Sequence, residues 1–240
     1  MADRQGRLEK TVVSLLDNGS KLQGPAVAKY VERARRAHPD DSPAQIIERL
    51  EKTFLNAVTG SGGAVGAAAA VPGVGTVASI AAAGAETVFF LEASAVLTLA
   101  VASVHGIEPS DNEQRKALVL AVALGDSGRE IVERTLGRSA KHYGTALGTR
   151  VTGMQGMNNS LLKRFITRYA AKRGALAFGK VIPAGIGAVI GGVGNRALGK
   201  GVINNARDAF GPPPPRWPAT EVIIDADPSP TAESLPAVER

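Results

Sequence analysis

Two carboxylates, Glu86 and Glu92, interrupt the most apolar part of this 240-residue chain. Paired acids are common general acid–base machinery, but at roughly 100° per residue this six-position separation points them about 120° apart on a helix. A catalytic pair on one helix face is therefore not expected. Each acid is expected to pair with a basic residue from 129–210 or to stand in water, with a proton- or ion-linked role at membrane depth as the other reading. The three histidines, His38, His105 and His142, stand far apart in the sequence and in no ligand spacing, so no metal is expected. The chain has no cysteine, which excludes disulfides, thiolate metal sites and thiol catalysis. Gly60-Ser-Gly62-Gly63-Ala-Val-Gly66 and Gly185-Ile-Gly187-Ala-Val-Ile-Gly191 approach a dinucleotide fingerprint but carry one extra spacer and lack the surrounding βαβ unit. Gly194-Asn-Arg-Ala-Leu-Gly199-Lys200 has phosphate-loop spacing, but Gly201 stands where the magnesium-binding hydroxyl must be. No Ser/His/Asp arrangement emerges from spacing. A non-enzymatic protein without a cofactor is the expectation, with a cleft gathering Glu86, Glu92, His105 or Asp126 as what an enzyme would require.

The clearest candidate surface is basic. Along Leu161–Phe178 a helical projection places Leu162, Phe165, Ile166, Tyr169, Ala170 and Leu176 within an arc of about 140°. Lys163, Arg164, Arg168 and Lys172 fall opposite, and Arg173 intrudes on the apolar arc. Such a helix suits an anionic lipid surface or an acidic protein, while a merely solvated face remains open. Nucleic acid fits less well, because only 10 of 240 residues are aromatic and no base-reading motif accompanies the charge.

Small residues form the second candidate feature. Ala64–Ala85 is 22 residues without a charge, and Val181–Gly194 is a 14-residue apolar run. The first is long enough to cross about 30 Å of hydrocarbon, yet it is mostly Ala and Gly and is interrupted by Pro72. In and beside these runs Gly62, Gly66 and Ala70 form one four-residue row, and Gly187 and Gly191, beside Gly192, form another. Rows of this kind let helix backbones approach closely, in lipid or in a tightly packed soluble core. Glycine inside a helix costs about 0.5–1 kcal/mol relative to alanine, so its repetition implies close helix contact.

The elements that carry these residues read as helices almost throughout. Leu8, Val12, Leu15 and Leu16 keep helical spacing, Pro25 opens a segment with Val27, Tyr30, Val31 and Ala34 on one face, and Ser42-Pro43-Ala44-Gln45 is a capping box. Ile46, Ile47, Leu50, Phe54 and Val58 then make one stripe. Further capping boxes start at Ser110 and Ser127, the latter opening a helix through Ile131 and Leu136 towards Leu147, and Ser160 is expected to cap the basic helix. Strand signals are few, so the fold expected is all-α: a helical bundle around Gly/Ala-rich, close-packed central helices.

Charge divides the chain. Residues 1–128 hold 12 basic and 14 acidic groups, 129–210 hold 14 and 3, and 211–240 hold 2 and 5. The last stretch opens with four prolines, Pro212 to Pro215, and is expected to be an extended, disordered acidic tail. The organisation expected is an N-terminal helical extension over 1–40, a helical domain over 41–210 and this tail. The charged opening MADRQGRLEK leads into no signal-like apolar run, so the expected address is the cytoplasm or the cytoplasmic side of the plasma membrane.

One stretch of residues resembles a known family. The run ending Glu86-Thr-Val-Phe-Phe-Leu-Glu92, then Val104-His-Gly-Ile-Glu-Pro109, the helix Gln114–Leu124, Ile182-Pro183-Ala-Gly-Ile-Gly187 through Gly191-Gly192-Val-Gly-Asn195, and Ala206–Phe210 are similar to the EcsC protein family. The resemblance spans roughly 40–210, and its most specific part is the late Pro-x-x-x-Gly…Gly-Gly-x-x-Asn pattern. That family takes its name from a gene beside ABC-transporter subunits and has no established activity. The resemblance implies a helical, membrane-associated protein, with a membrane transport or envelope protein as partner, and carries over no catalytic residue. The expected function is thus a non-enzymatic membrane-associated protein, self-associating or not, released from membranes only by detergent. The alternative is a soluble helical module binding a hydrophobic ligand or a partner helix.

Overall fold

The structure, a computed structural model, describes residues 25–69, 76–109, 111–136, 142–148, 154–177 and 186–218. The described residues form helices and no strand, so the protein is all-α. The expected helix around Leu8–Leu16, the Ile182-Pro183 turn and the chain beyond Pro218 lie outside the described residues.

Helix α1 (residues 25–37) begins at Pro25, whose fixed φ and missing N–H suit a first helical position. It buries Val27 and Val31, one turn apart, and ends before His38-Pro39, since the residue preceding a proline is pushed out of the α region. Helix α2 (Pro43–Ala69) starts from the expected capping box. The Ser42 N–H donates to Gln45 Oε1 at 2.8 Å and the Gln45 N–H donates to Ser42 Oγ at 3.4 Å, satisfying two orphan donors reciprocally. Ile46, Ile47, Leu50, Phe54 and Val58 are all buried, as their stripe requires.

Helix α3 (Thr76–Val104) is apolar around much of its circumference and is correspondingly central: Leu97 and Leu99–Ala102 are all buried. Gly106 ends it at φ 72°, with the Gly106 N–H on Ser103 O at 2.9 Å and the Ile107 N–H on Ala102 O at 2.9 Å. That is the paired termination in which a left-handed glycine turns two helix carbonyls inward.

Helix α4 (Asn112–Leu124) is the hub, touching α3, α5, α6, α7 and α8. Its cap differs from the one expected: Asp111, not Ser110, accepts the Gln114 N–H at 2.8 Å, and Ser110 lies outside the described residues. A carboxylate there also meets the positive end of the helix dipole. Helix α5 (Asp126–Leu136) starts one residue before Ser127 and stops at Leu136. Leu147 belongs instead to a separate short helix, α6 (Tyr143–Gly148).

Helix α7 (Met154–Ala177) also begins earlier than its expected cap. Ser160 lies inside it and donates back to Gly156 O at 3.0 Å, a bond compatible with a helix interior. Met154, Met157, Leu161 and Phe165 face the core at three- and four-residue steps. Helix α8 (Ile186–Phe210) makes the most extensive contact in the molecule, with α2.

The proline run expected to open a free tail instead lies against the body as far as Pro218. Trp217 is half-buried, its Nε1–H donates to Asp41 O at 3.4 Å, and the Arg35 guanidinium sits 4.1 Å from its ring centroid. Among the described residues, no helix is long and apolar enough to cross a membrane.

Candidate functional site

Helices α2 and α8 meet along their small residues. A Cβ placed on Gly62 would stand 2.6 Å from both Asn195 Cγ and the Gly191 carbonyl oxygen, closer than real contacts allow. Gly192 faces the Thr59 carbonyl, and Gly199 packs on Val58 and Leu55. Gly66 and Gly187 lie on the same two helices, outside the described packing.

The space left by Gly62 is taken by a polar group. Asn195 is buried, and its Nδ2 donates to Val58 O at 3.0 Å and to Glu86 Oε1. One amide therefore ties together α2, α3 and α8. A buried carboxyl needs such donors, because burying a polar group without hydrogen bonds costs several kcal/mol. Glu86 is 4% exposed, and in this seam it acts as a cross-tie. Glu92, on the other face of α3, is exposed. Asn195 was legible only as part of the family-like pattern; nothing in its spacing marked it as the partner of Glu86, 109 positions away.

Helix α7 supplies the charged surface. Lys163 and Arg164 are exposed, whereas Leu161 and Phe165 on either side of them are buried. Arg168 and Lys172 continue the four-residue series from Arg164 on the same helix, with side chains outside the described residues.

A third feature was not anticipated. His105, just past the end of α3, and His142, just before α6, line one polar cleft of about 780 Å³ with Arg129, Glu51, Arg207 and Asp208. The His105 ring stacks on Phe210 at 5.6 Å between centroids, and His142 Nδ1 lies 3.4 Å from the Asp208 carbonyl oxygen. Burial, and then the neighbouring His142, hold the His105 pKa below its ordinary value. Arg207 grips Glu51 through Nε–Oε1 at 2.8 Å and Nη2–Oε2 at 2.5 Å, and this hydrogen-bonded carboxylate raises the arginine pKa further. Tyr143 is buried, with its hydroxyl donating to Ala121 O at 3.5 Å, and burial raises its pKa. The 36 residues between the histidines carry no periodicity that would bring them together.

The four residues an enzyme would have to gather are dispersed. Glu86 is in the seam, Glu92 is exposed on α3, His105 lines the cleft with His142, and Asp126 lines a separate one. Among the described residues, no group of three or more His, Asp or Glu is placed to hold a metal ion. Compared with protein-family models, with curated proteins and with solved structures, the chain matches none of them.

Proposed function

We propose that the protein is a non-enzymatic, EcsC-like helical module that works on the surface of a membrane rather than across it, with the basic side of α7 meeting anionic lipid. One observation carries this reading: Lys163 and Arg164 point into water while their neighbours Leu161 and Phe165 anchor the helix in the core. The charge is thereby held on a rigid outer face. The segment 129–210, with 14 basic and 3 acidic groups, adds a favourable long-range field. Attachment through such a face is electrostatic, so it weakens as salt shortens the Debye length from about 10 Å at 0.1 M to about 3 Å at 1 M. Release by salt, rather than only by detergent, is the outcome this electrostatic reading expects.

Sedimentation with phosphatidylcholine vesicles, with and without phosphatidylglycerol, tests the proposal. The protein pellets only with the anionic vesicles and is released by a high-salt wash. At about 1 kcal/mol for each near-surface cation, Lys163→Gln with Arg164→Gln weakens binding roughly 30-fold. Equal binding to neutral vesicles, or a double variant that binds as well as the parent, would refute it.

A further inference from the structure

The proline run after α8 is tied down at both ends. Gly211 opens it at φ 78°, its N–H donating to Arg207 O at 2.8 Å, and a Cβ there would stand 2.7 Å from His142 Cε1. Trp217 closes it, with its bond to Asp41 O and the Arg35 guanidinium over its ring. Between the two ties stand Pro212, Pro213, Pro214, Pro215 and Arg216.

Covalent chemistry decides the shape of this stretch. Each proline fixes its own φ near −65° and pushes the residue before it to an extended ψ, so Pro212–Pro214 are confined to polyproline II geometry. The backbone bends at Pro212 and again at Pro215–Arg216, which leaves Pro212–Pro215 as one straight turn. That helix repeats every three residues and rises about 3.1 Å per residue, so Pro212 and Pro215 share an edge about 9 Å apart. Exposure agrees with three edges: Pro214 is half-buried against the body, while Pro212, Pro213 and Pro215 are exposed. Arg216, immediately after the ridge, is exposed as well.

We infer that Pro212–Arg216 is a docking ridge for a protein module that carries an aromatic-lined groove with a carboxylate at one end. Such grooves read Pro-x-x-Pro segments by taking two edges of the helix and leaving the third, which is the edge spent here on the body. They also profit from a ligand that is already ordered, and the ties at Gly211 and Trp217 leave little of this segment to be ordered on binding. A bare proline ridge looks alike from either end. Arg216 gives it a direction, because its guanidinium can meet a carboxylate only beyond Pro215. Pairing as an added strand is closed to the segment, since its prolines have no N–H to donate. The ridge is distinct from the lipid-facing side of α7 and does not rest on that role.

The test screens the full chain against an array of purified SH3 domains, whose grooves set aromatic rings beside acidic side chains, and titrates each binder by calorimetry. At least one domain binds saturably. Pro212→Ala with Pro215→Ala lowers that affinity roughly tenfold or more, and Arg216→Glu lowers it roughly tenfold. The unfolding temperature stays within a degree or so of the parent's, roughly as for other exposed positions. An array without a saturable binder, or a binder indifferent to the proline variant, overturns the ridge. A binder indifferent to Arg216→Glu overturns the carboxylate assigned to the groove. If no domain binds and Arg216→Glu instead releases the chain from phosphatidylglycerol vesicles, this face meets lipid and the inference falls.

Discussion

His105 shows how much of this molecule is decided by single side chains. Its ring is stacked on Phe210 and faces His142, Arg129, Glu51, Arg207 and Asp208 across the polar cleft, and its pKa is held below the ordinary 6.5. The folded state therefore takes up a proton on this ring less readily than the unfolded chain does. Below about pH 6.5 the unfolded chain binds the extra proton, so the stability associated with neutral His105 is complete above that value and is lost as the pH falls through it. The urea midpoint is expected to drop between about pH 7.5 and pH 5.5, and His105→Gln is expected to flatten that drop. A parent and variant with parallel profiles would show that other groups carry the acid sensitivity. Neither the ring stack nor the cleft was legible beforehand, because His105 and His142 converge only once α3 and α6 are both docked.

At the scale of elements, glycine placement separates contact from opening. The α2–α8 seam depends on Gly62, where a side chain would collide with Asn195 and the Gly191 carbonyl. Gly62→Ala is expected to destabilise by about 1–3 kcal/mol, the usual cost of overpacking. Gly60→Ala, two residues earlier and with nothing within 4 Å of its Cβ, is expected to be neutral or to gain up to about 1 kcal/mol in denaturant unfolding. Equal effects at both positions would mean that helix propensity, not the seam, governs the pair. Helix starts with local chemistry were readable in advance: the Ser42–Gln45 box forms as its spacing requires. The beginning of α7 was not, since Ser160 satisfies its hydroxyl within the helix, which is already formed at Met154. The small-residue rows pointed to close helices, but the sequence could not say that the partner of Gly62 lies at Gly191 rather than in another molecule.

For the whole molecule, the question is where its cooperative unit ends. Val27 and Val31 of α1 belong to the same buried cluster as Phe210 at the end of α8. Residues 25–37 thus contribute to the common core, whatever role residues 1–24 have. Val27→Ala combined with Val31→Ala removes the equivalent of about four methylenes and is expected to cost about 3 kcal/mol, with unfolding still a single transition. If α1 were a separable extension, the global urea midpoint would stay where it is. Burial of this kind is visible in a sequence only as spacing, and the spacing of Val27, Tyr30, Val31 and Ala34 says which face packs but not what it packs on.

The clasp of Arg35 on Trp217 has a consequence for geography. Pro218 comes to rest beside Gly106, and Pro25 borders a cavity shared with Ile107 and Pro109, so the polypeptide enters and leaves its described body at one corner, the turn between α3 and α4. The path through α1 to α8 is a nearly closed circuit. Whatever the stretches before Pro25 and after Pro218 carry is handed out from a single doorway, the second of them bearing all five acidic groups of 211–240.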